Sequence, residues 1–308
     1  MLNRRRSVLR LLAGVLLLAG AGCTDSTEPA GFGTVIGRVT AANGVTPIPS
    51  VSVYLEYAGP ASAVLTDSRG DYKFENVPVG THVIHADKGN FHATDTVVVR
   101  GGGWTNLSPN VKLVAIGELA YVDGLYDSIE DLIKNLGYTP KKLELAELNS
   151  PAALAQYRMI FLNCGSHVPA SAAASLLQWV EAGGTLYASD WELDVVQAMF
   201  PSDIMTVSSA PSQNITGTVT DGGLEQFVGK PNVLIAYDLS AWKTLSQISN
   251  TPTVLLRGNI ATDNDGTQNQ ALAISLSHGS GRVVYTTFHN EAGITADQLV
   301  VLRYFIYY

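Results

Sequence analysis

Cysteine is almost absent from this 308-residue chain: there are two, Cys23 and Cys164. A disulfide framework is therefore excluded, and stability has to come from apolar cores. Basic residues are also few, 19 Lys and Arg against 27 Asp and Glu, for a net charge of −8. That balance offers no attraction to nucleic acid or to an anionic membrane surface, so neither is expected as a partner. Apolar runs long enough to span a bilayer are missing beyond the first two dozen residues. What remains, 46% hydrophobic and 15% charged, is ordinary globular material with enough length for two domains.

At the start, Arg4, Arg5 and Arg6 precede an apolar run from Val8 to Ala19, interrupted only by Arg10, which passes into Gly20-Ala21-Gly22-Cys23. A basic start, a short apolar run and small residues make the pattern of a signal peptide, and the run falls short of the roughly 20 residues that cross a bilayer. Ala21-Gly22-Cys23 resembles the lipobox of bacterial lipoproteins, with Gly20 where leucine is usual. The resemblance implies cleavage before Cys23, a diacylglycerol on its thiol, and attachment to a membrane through that lipid. The departure at Gly20 leaves a soluble secreted chain cut near Gly22 as the other reading. Residues 1–22 are thus expected to be a signal peptide and 23–32 a tether. No acidic residue directly follows Cys23, which by the pattern of that class implies the outer membrane, with the folded part facing periplasm or exterior. A lipidated Cys23 leaves Cys164 without a disulfide partner.

From 33 to 114 the sequence reads as strand and turn only. Alternating segments such as Val35-Ile36-Gly37-Arg38-Val39, Val51-Ser52-Val53-Tyr54-Leu55 and Thr96-Val97-Val98-Val99 are separated by Asn43-Gly44, Ser68-Arg69-Gly70-Asp71, Pro78-Val79-Gly80 and Gly101-Gly102-Gly103. That spacing predicts a small β-sandwich. Gly37-Arg38-Val39, Pro49 to Val53, Thr66 to Phe74 with its Gly70-Asp71-Tyr72 turn, and Val77-Pro78-Val79-Gly80 together resemble a carboxypeptidase regulatory-like domain. The resemblance implies a prealbumin-like (transthyretin-like) fold, of the carbohydrate-binding-like kind, whose aromatic residues pack inward and which carries no catalytic residues. His82 and His85 sit three apart on an expected strand and point to opposite faces, so with His92 they read as surface histidines and not as a metal site.

After Val114 strands and helices alternate, which predicts a parallel sheet. Strands are expected at Gly117 to Val122, Lys142 to Leu145, Met159 to Asn163, Thr185 to Ala188 and Arg282 to Thr287. Helices are expected at Ser128 to Leu136, Ala170 to Ala182 before the Gly183-Gly184 stop, and Thr295 to Tyr307. Between them lies a β-rich insertion with strands near Val254 to Arg257 and Ala271 to Leu276, joined by a turn at Asp263-Asn264-Asp265-Gly266. That turn resembles a calcium-loop fragment but lacks the further ligands, so the hairpin reading stands. Trp179 and the final Tyr304, Phe305, Tyr307 and Tyr308 read as packing residues. The expected fold class is β + α/β, a sandwich followed at 115–308 by a flavodoxin-like three-layer α/β/α domain. Three stretches, Asn163-Cys164-Gly165-Ser166-His167-Val168-Pro169, Gly281 to Tyr285, and Phe288-His289-Asn290-Glu291, resemble the class I glutamine amidotransferase-like domain.

In an open α/β sheet ligands bind beyond the carboxyl ends of the strands, which singles out Asp123, Cys164, Ser189, Asp190, Trp191, Glu192, His289, Asn290 and Glu291. In active members of that family the histidine is a general base, the glutamate orients it, and a cysteine flanked by glycines is the nucleophile. Here the cysteine position falls on Ser189, between Tyr187 and Trp191, where the large side chains obstruct the strained elbow such a nucleophile needs. A Ser189–His289–Glu291 triad is the catalytic alternative, an envelope hydrolase. Cys164 reads as a buried filler whose acidic surroundings disfavour thiolate. Asp123, Asp190, Glu192, His289 and Glu291 offer hard carboxylates and a borderline imidazole to a divalent cation, but with no spaced metal motif they read as a solvated acidic rim, so neither metal nor cofactor is expected. Trp191 and Trp242 suit stacking on a ring. The sequence thus points to a non-catalytic cell-envelope lipoprotein whose α/β cleft, or else its sandwich, binds a small molecule, carbohydrate or protein partner.

Overall fold

The computed structural model describes residues 31–308. The expected signal peptide, Cys23 and most of the tether lie outside the described residues. Among the described residues no helix is long and apolar enough to cross a membrane.

Two facing sheets form the first domain. Asp71–Pro78, Phe32–Thr40 and Trp104–Asn106 are neighbours in one, with Val111–Lys112 also pairing to Phe32–Thr40. Val64–Leu65, Ser52–Leu55, Gly80–Lys88, Phe91–Val99 and Val114–Ala115 make the other. Alternation does the sorting: Val35 and Val39, Val53 and Leu55, and Tyr72 and Phe74 are buried while Arg38, Lys73 and Glu75 face water. The turn before Asp71 needs Gly70, whose φ is +74° and whose missing side chain leaves room for the Val39 carbonyl.

The second domain is a flavodoxin-like three-layer α/β/α unit. Its parallel strands run in the spatial order Lys141–Lys142, Glu118–Val122, Tyr157–Leu162, Thr185–Ser189, Gly281–Thr286. In chain order that is 2-1-3-4-5, the doubly wound arrangement. Side chains sort between the two faces of the sheet: Leu119, Met159, Phe161 and Tyr187 pack with the helices Ile129–Asn135 and Ala296–Ile306. Ala120, Ile160, Leu162, Leu186 and Ala188 pack with Ala173–Glu181 and Leu193–Met199.

The β-rich insertion widens this sheet instead of standing apart from it. Gly266–His278 pairs antiparallel with Gly281–Thr286, and Thr253–Thr262, Gln213–Val219 and Asn232–Tyr237 follow in order. Ile204–Ala210 and Trp242–Ile248 form a further pair that joins at Leu245 and Ala271. The expected hairpin turn at Asp263 to Gly266 is present, with flanking strands longer than the sequence suggests. The four other strands of the insertion and the helix Gly222–Val228 went unassigned in the sequence.

Candidate functional site

The parallel strands end at one edge, and the loops that follow them build the site. Beyond Glu118–Val122 comes Tyr126, beyond Tyr157–Leu162 comes Cys164, beyond Thr185–Ser189 come Asp190 and Trp191, and beyond Gly281–Thr286 comes His289. Together with Leu239, Ser240 and Ala241 of the insertion they line a cavity of about 300 Å³. Tyr126 and Leu239 are exposed at its mouth. Tyr126 meets the Trp191 ring edge-on at 5.1 Å between centroids, and Trp191 Nε1 donates to the Ala241 carbonyl at 2.9 Å. The apolar rim thus belongs to three separate loops held in register by one indole hydrogen bond.

Polar groups form the floor. Cys164 Sγ donates to Asp190 Oδ2 at 3.2 Å, while the other carboxylate oxygen accepts the Lys243 amide at 2.6 Å. Asp190 sits at φ +43°, a backbone region that costs a residue with a side chain roughly 1–3 kcal/mol. Ser189 before it is ordinary extended chain, with φ −124° and ψ 142°. The strained elbow residue is therefore Asp190, one position later than the resemblance to the amidotransferase-like pattern placed it.

His289 is 1% exposed and stacks on Trp242, with centroids 4.5 Å apart and planes 25° apart. Its Nδ1 lies 3.7 Å from Asp190 Oδ2 and its Nε2 3.1 Å from Glu291 Oε1. The second approach has the distance of a hydrogen bond without the angle, so both ring nitrogens and Glu291 Oε1 are left without a partner. An unpaired buried imidazole is costly and calls for an explanation. Cys164 Sγ, a carboxylate oxygen of Asp190 and a ring nitrogen of His289 all lie within 4.8 Å of one another.

Burial governs the charges here. It pushes the Asp190 carboxyl up to about 7, opposed by the Lys243 amide and His289. It also raises Glu291 to about 8, helped by a hydrogen bond to the neighbouring carboxylate of Asp238. Burial, then Asp190, drives the Cys164 thiol well up, so an unreactive neutral thiol is the form at ordinary pH. His289 is pushed down by the same desolvation against the pull of Asp127 and Asp190.

Several residues singled out in the sequence lie elsewhere or do something else. The fully buried Ser189 hydroxyl donates to Asp127 Oδ2 at 2.6 Å and accepts the Cys164 amide at 3.1 Å. With both His289 nitrogens unbonded, no Ser189–His289 pair exists. Asp123 is half exposed and ion-paired to Lys142, outside the cavity. Glu192 is buried and accepts the His167 and Val168 amides at 3.1 and 3.2 Å, which ties down the loop after Cys164 instead of facing a ligand. Asn290 is used in the same way, its side chain donating to the Ser128 carbonyl at 2.8 Å. Trp242 is fully buried and serves as the wall behind His289. The acidic rim is accordingly not solvated: Asp190 and Glu192 are buried and Asp123 stands apart. His85 pairs with Glu56 and His92 with Asp87, partly exposed on the sandwich.

Sequence reasoning missed Asp127, Asp238, Tyr126 and Leu239. Asp127 stands directly before the Ser128 cap of a helix, a position where an acidic residue is itself a signal. Asp238 and Leu239 fall in the insertion, where no periodicity marked them.

A larger hollow of about 710 Å³ opens on the sandwich beside Arg38, Asp67, Asp71, Tyr72 and Lys73. Arg38 and Asp71 are ion-paired to each other there at 2.6 Å, and the unpartnered Tyr72 hydroxyl is covered by Gly37. Asp67 and Lys73 are likewise ion-paired, to Arg69 and Glu75, so the smaller cavity is the candidate site.

Residues 34–114 match the family model of the carboxypeptidase regulatory-like domain. No curated protein matches the chain. Among solved structures the chain is similar to a ThuA-like protein from Bacteroides uniformis, at 13% identity over 61% of this chain and 89% of that one, with a TM-score of 0.45. It is also similar to PurLQS from Thermotoga maritima, at 14% identity over 62% of this chain and 97% of that one, TM-score 0.43. A β-galactosidase from Bacillus circulans is matched at 11% identity over 61% of this chain but 30% of that one, TM-score 0.39.

Proposed function

We propose that the chain is a lipid-anchored cell-envelope protein, attached through Cys23 to the outer membrane, whose α/β domain binds a small uncharged ring-shaped molecule, a pyranose sugar by preference. The reading rests on one observation: an aromatic rim of exposed Tyr126 and half-buried Trp191 above a buried polar floor of Cys164, Asp190 and His289. Such a cleft pairs an apolar face for stacking with a few fixed polar groups for orientation, and its volume lies at the lower end of the roughly 300–1,000 Å³ of small-molecule sites. Acidic groups around the floor and the net charge of −8 disfavour anions.

Binding without turnover fits better than hydrolysis. The Ser189 hydroxyl is committed to Asp127, and neither ring nitrogen of His289 has a hydrogen-bond partner, so no triad is assembled.

The test is a ligand-observed NMR screen of the full chain against neutral saccharides and small cyclic metabolites, repeated with Trp191→Ala. Saccharide binding that weakens roughly 2- to 13-fold on loss of the indole is expected, taking the aromatic contact at about the 0.5–1.5 kcal/mol that stacked aromatic pairs contribute. Saccharide binding that survives Trp191→Ala unchanged rejects this cleft.

A further inference from the structure

We propose that Cys164, Asp190 and His289 form a three-ligand site for a zinc-class divalent cation in the floor of the cleft, with the fourth position open to the cavity. The metal site goes beyond the sugar reading and does not depend on it.

Three loops from three strands deliver one soft, one hard and one borderline donor to a single point. Cys164 Sγ to Asp190 Oδ2 is 3.2 Å and His289 Nδ1 to the same oxygen is 3.7 Å. Tetrahedral zinc, with bonds of about 2.0 Å to N or O and about 2.3 Å to S, has ligand-to-ligand edges of roughly 3.3–3.5 Å. These two edges straddle that range and the third, from sulfur to imidazole, is within 4.8 Å, so side-chain shifts of about an ångström bring the three donors onto one ion. Mixed S, N and O donors suit zinc and exclude calcium and magnesium, which take oxygen.

Two of the three ligands are also supported from behind. The Lys243 amide occupies Asp190 Oδ1 and leaves Oδ2 for the cluster. Trp242 fixes the plane of the imidazole, and Glu291 Oε1 stands 3.1 Å from the far nitrogen, Nε2. With a metal on Nδ1 the proton sits on Nε2, and a small turn of the ring lets Glu291 accept it, the usual support of a metal-bound histidine. This accounts for the feature that packing alone leaves unexplained: a histidine buried to 1% with both nitrogens unpartnered and Nδ1 facing a carboxylate and a thiol. Among the described residues no other group of three such side chains comes together. On binding, the sulfur–metal bond replaces the S–H bond and the thiol proton leaves to solvent, so no redox partner is needed.

The experiment titrates Co²⁺, then competing Zn²⁺, into the full chain freed of metal. One equivalent of cobalt is expected to give a sulfur-to-cobalt charge-transfer band and the intense visible bands of a tetrahedral site, both abolished by zinc. Cys164→Ser should remove the charge-transfer band. Glu291→Gln should weaken zinc binding about 10–100-fold, the usual effect of losing such a supporting group. Cys23→Ser, the control for the other cysteine, should leave the spectrum unchanged. Failure of the wild-type chain to take up cobalt stoichiometrically, a pale octahedral spectrum without a sulfur band, or a sulfur band that persists in Cys164→Ser overturns the proposal. Saccharide binding is measured on the metal-free chain as well, so failure of one reading is not mistaken for failure of the other.

Discussion

Ser189 shows how one hydrogen bond decides between two functions. A nucleophilic serine has a free hydroxyl within reach of its base, whereas this one is wholly buried and shared between Asp127 and the Cys164 amide. Ser189→Ala should therefore lower stability by about 1–3 kcal/mol, because it leaves a buried carboxyl and an amide short of a partner. Urea denaturation reads the loss, and the same variant should keep its saccharide affinity. Unchanged stability with a lost turnover would instead identify an exposed nucleophile. The residues misjudged from sequence fail for one reason: being just past a strand end does not say which way the loop then turns. Asp123 points to solvent and Lys142, while Asp127, four residues on, reaches under Ser189. A left-handed Asp190 had no signal in its residue type, since aspartate is common in turns without positive φ.

At the scale of elements, the hairpin between Gly80–Lys88 and Phe91–Val99 carries the junction of the two domains. Gly89 at its tip has φ +53°, and a side chain there would run into the Tyr307 carbonyl at the end of the last helix. Gly89→Ala combines a disfavoured backbone with a collision against backbone and should destabilise by about 2 kcal/mol or more, visible as a lowered urea midpoint. A neutral result would mean that the hairpin and the last helix do not touch in solution. The alternating sandwich strands and the parallel strands with their helices were legible, to within one to three residues at most ends, because each carries its own periodicity. Ile204–Ala210 and Trp242–Ile248 were not. Their pairing is decided by distant partners, and Gly222–Val228 is a seven-residue helix too short to display an apolar stripe.

Across the whole molecule the sandwich and the α/β domain share one apolar core. Phe91 packs against Tyr138 and Tyr307, with ring centroids 5.0 and 4.7 Å away. Asn90, also from the sandwich, donates to Thr185 Oγ1 at 2.9 Å and accepts Arg158 Nε at 2.8 Å. Nothing in either domain's own pattern announced this seam, since each of its residues reads as core or surface of its own unit. Lys88 is half-buried in it near Phe227 and Tyr304, and desolvation pushes its ammonium down to about 8, against the pull of Asp221. The unfolded chain holds that proton to about pH 10.4. Between pH 8 and 10 the unfolded state thus binds more protons, and this group's contribution makes stability rise with pH across that window. Urea midpoints measured from pH 7 to 10 should show the rise in the wild-type chain and a reduced one in Lys88→Met, and identical slopes would place Lys88 in water. The central claim, that recognition belongs to the α/β cleft and not to the sandwich, is tested most directly by a crystal structure of the saccharide complex. A ring against Trp191 with its polar edge towards Asp190 and His289 is the expected result, and a ring bound beside Arg38 and Tyr72 on the sandwich would contradict it.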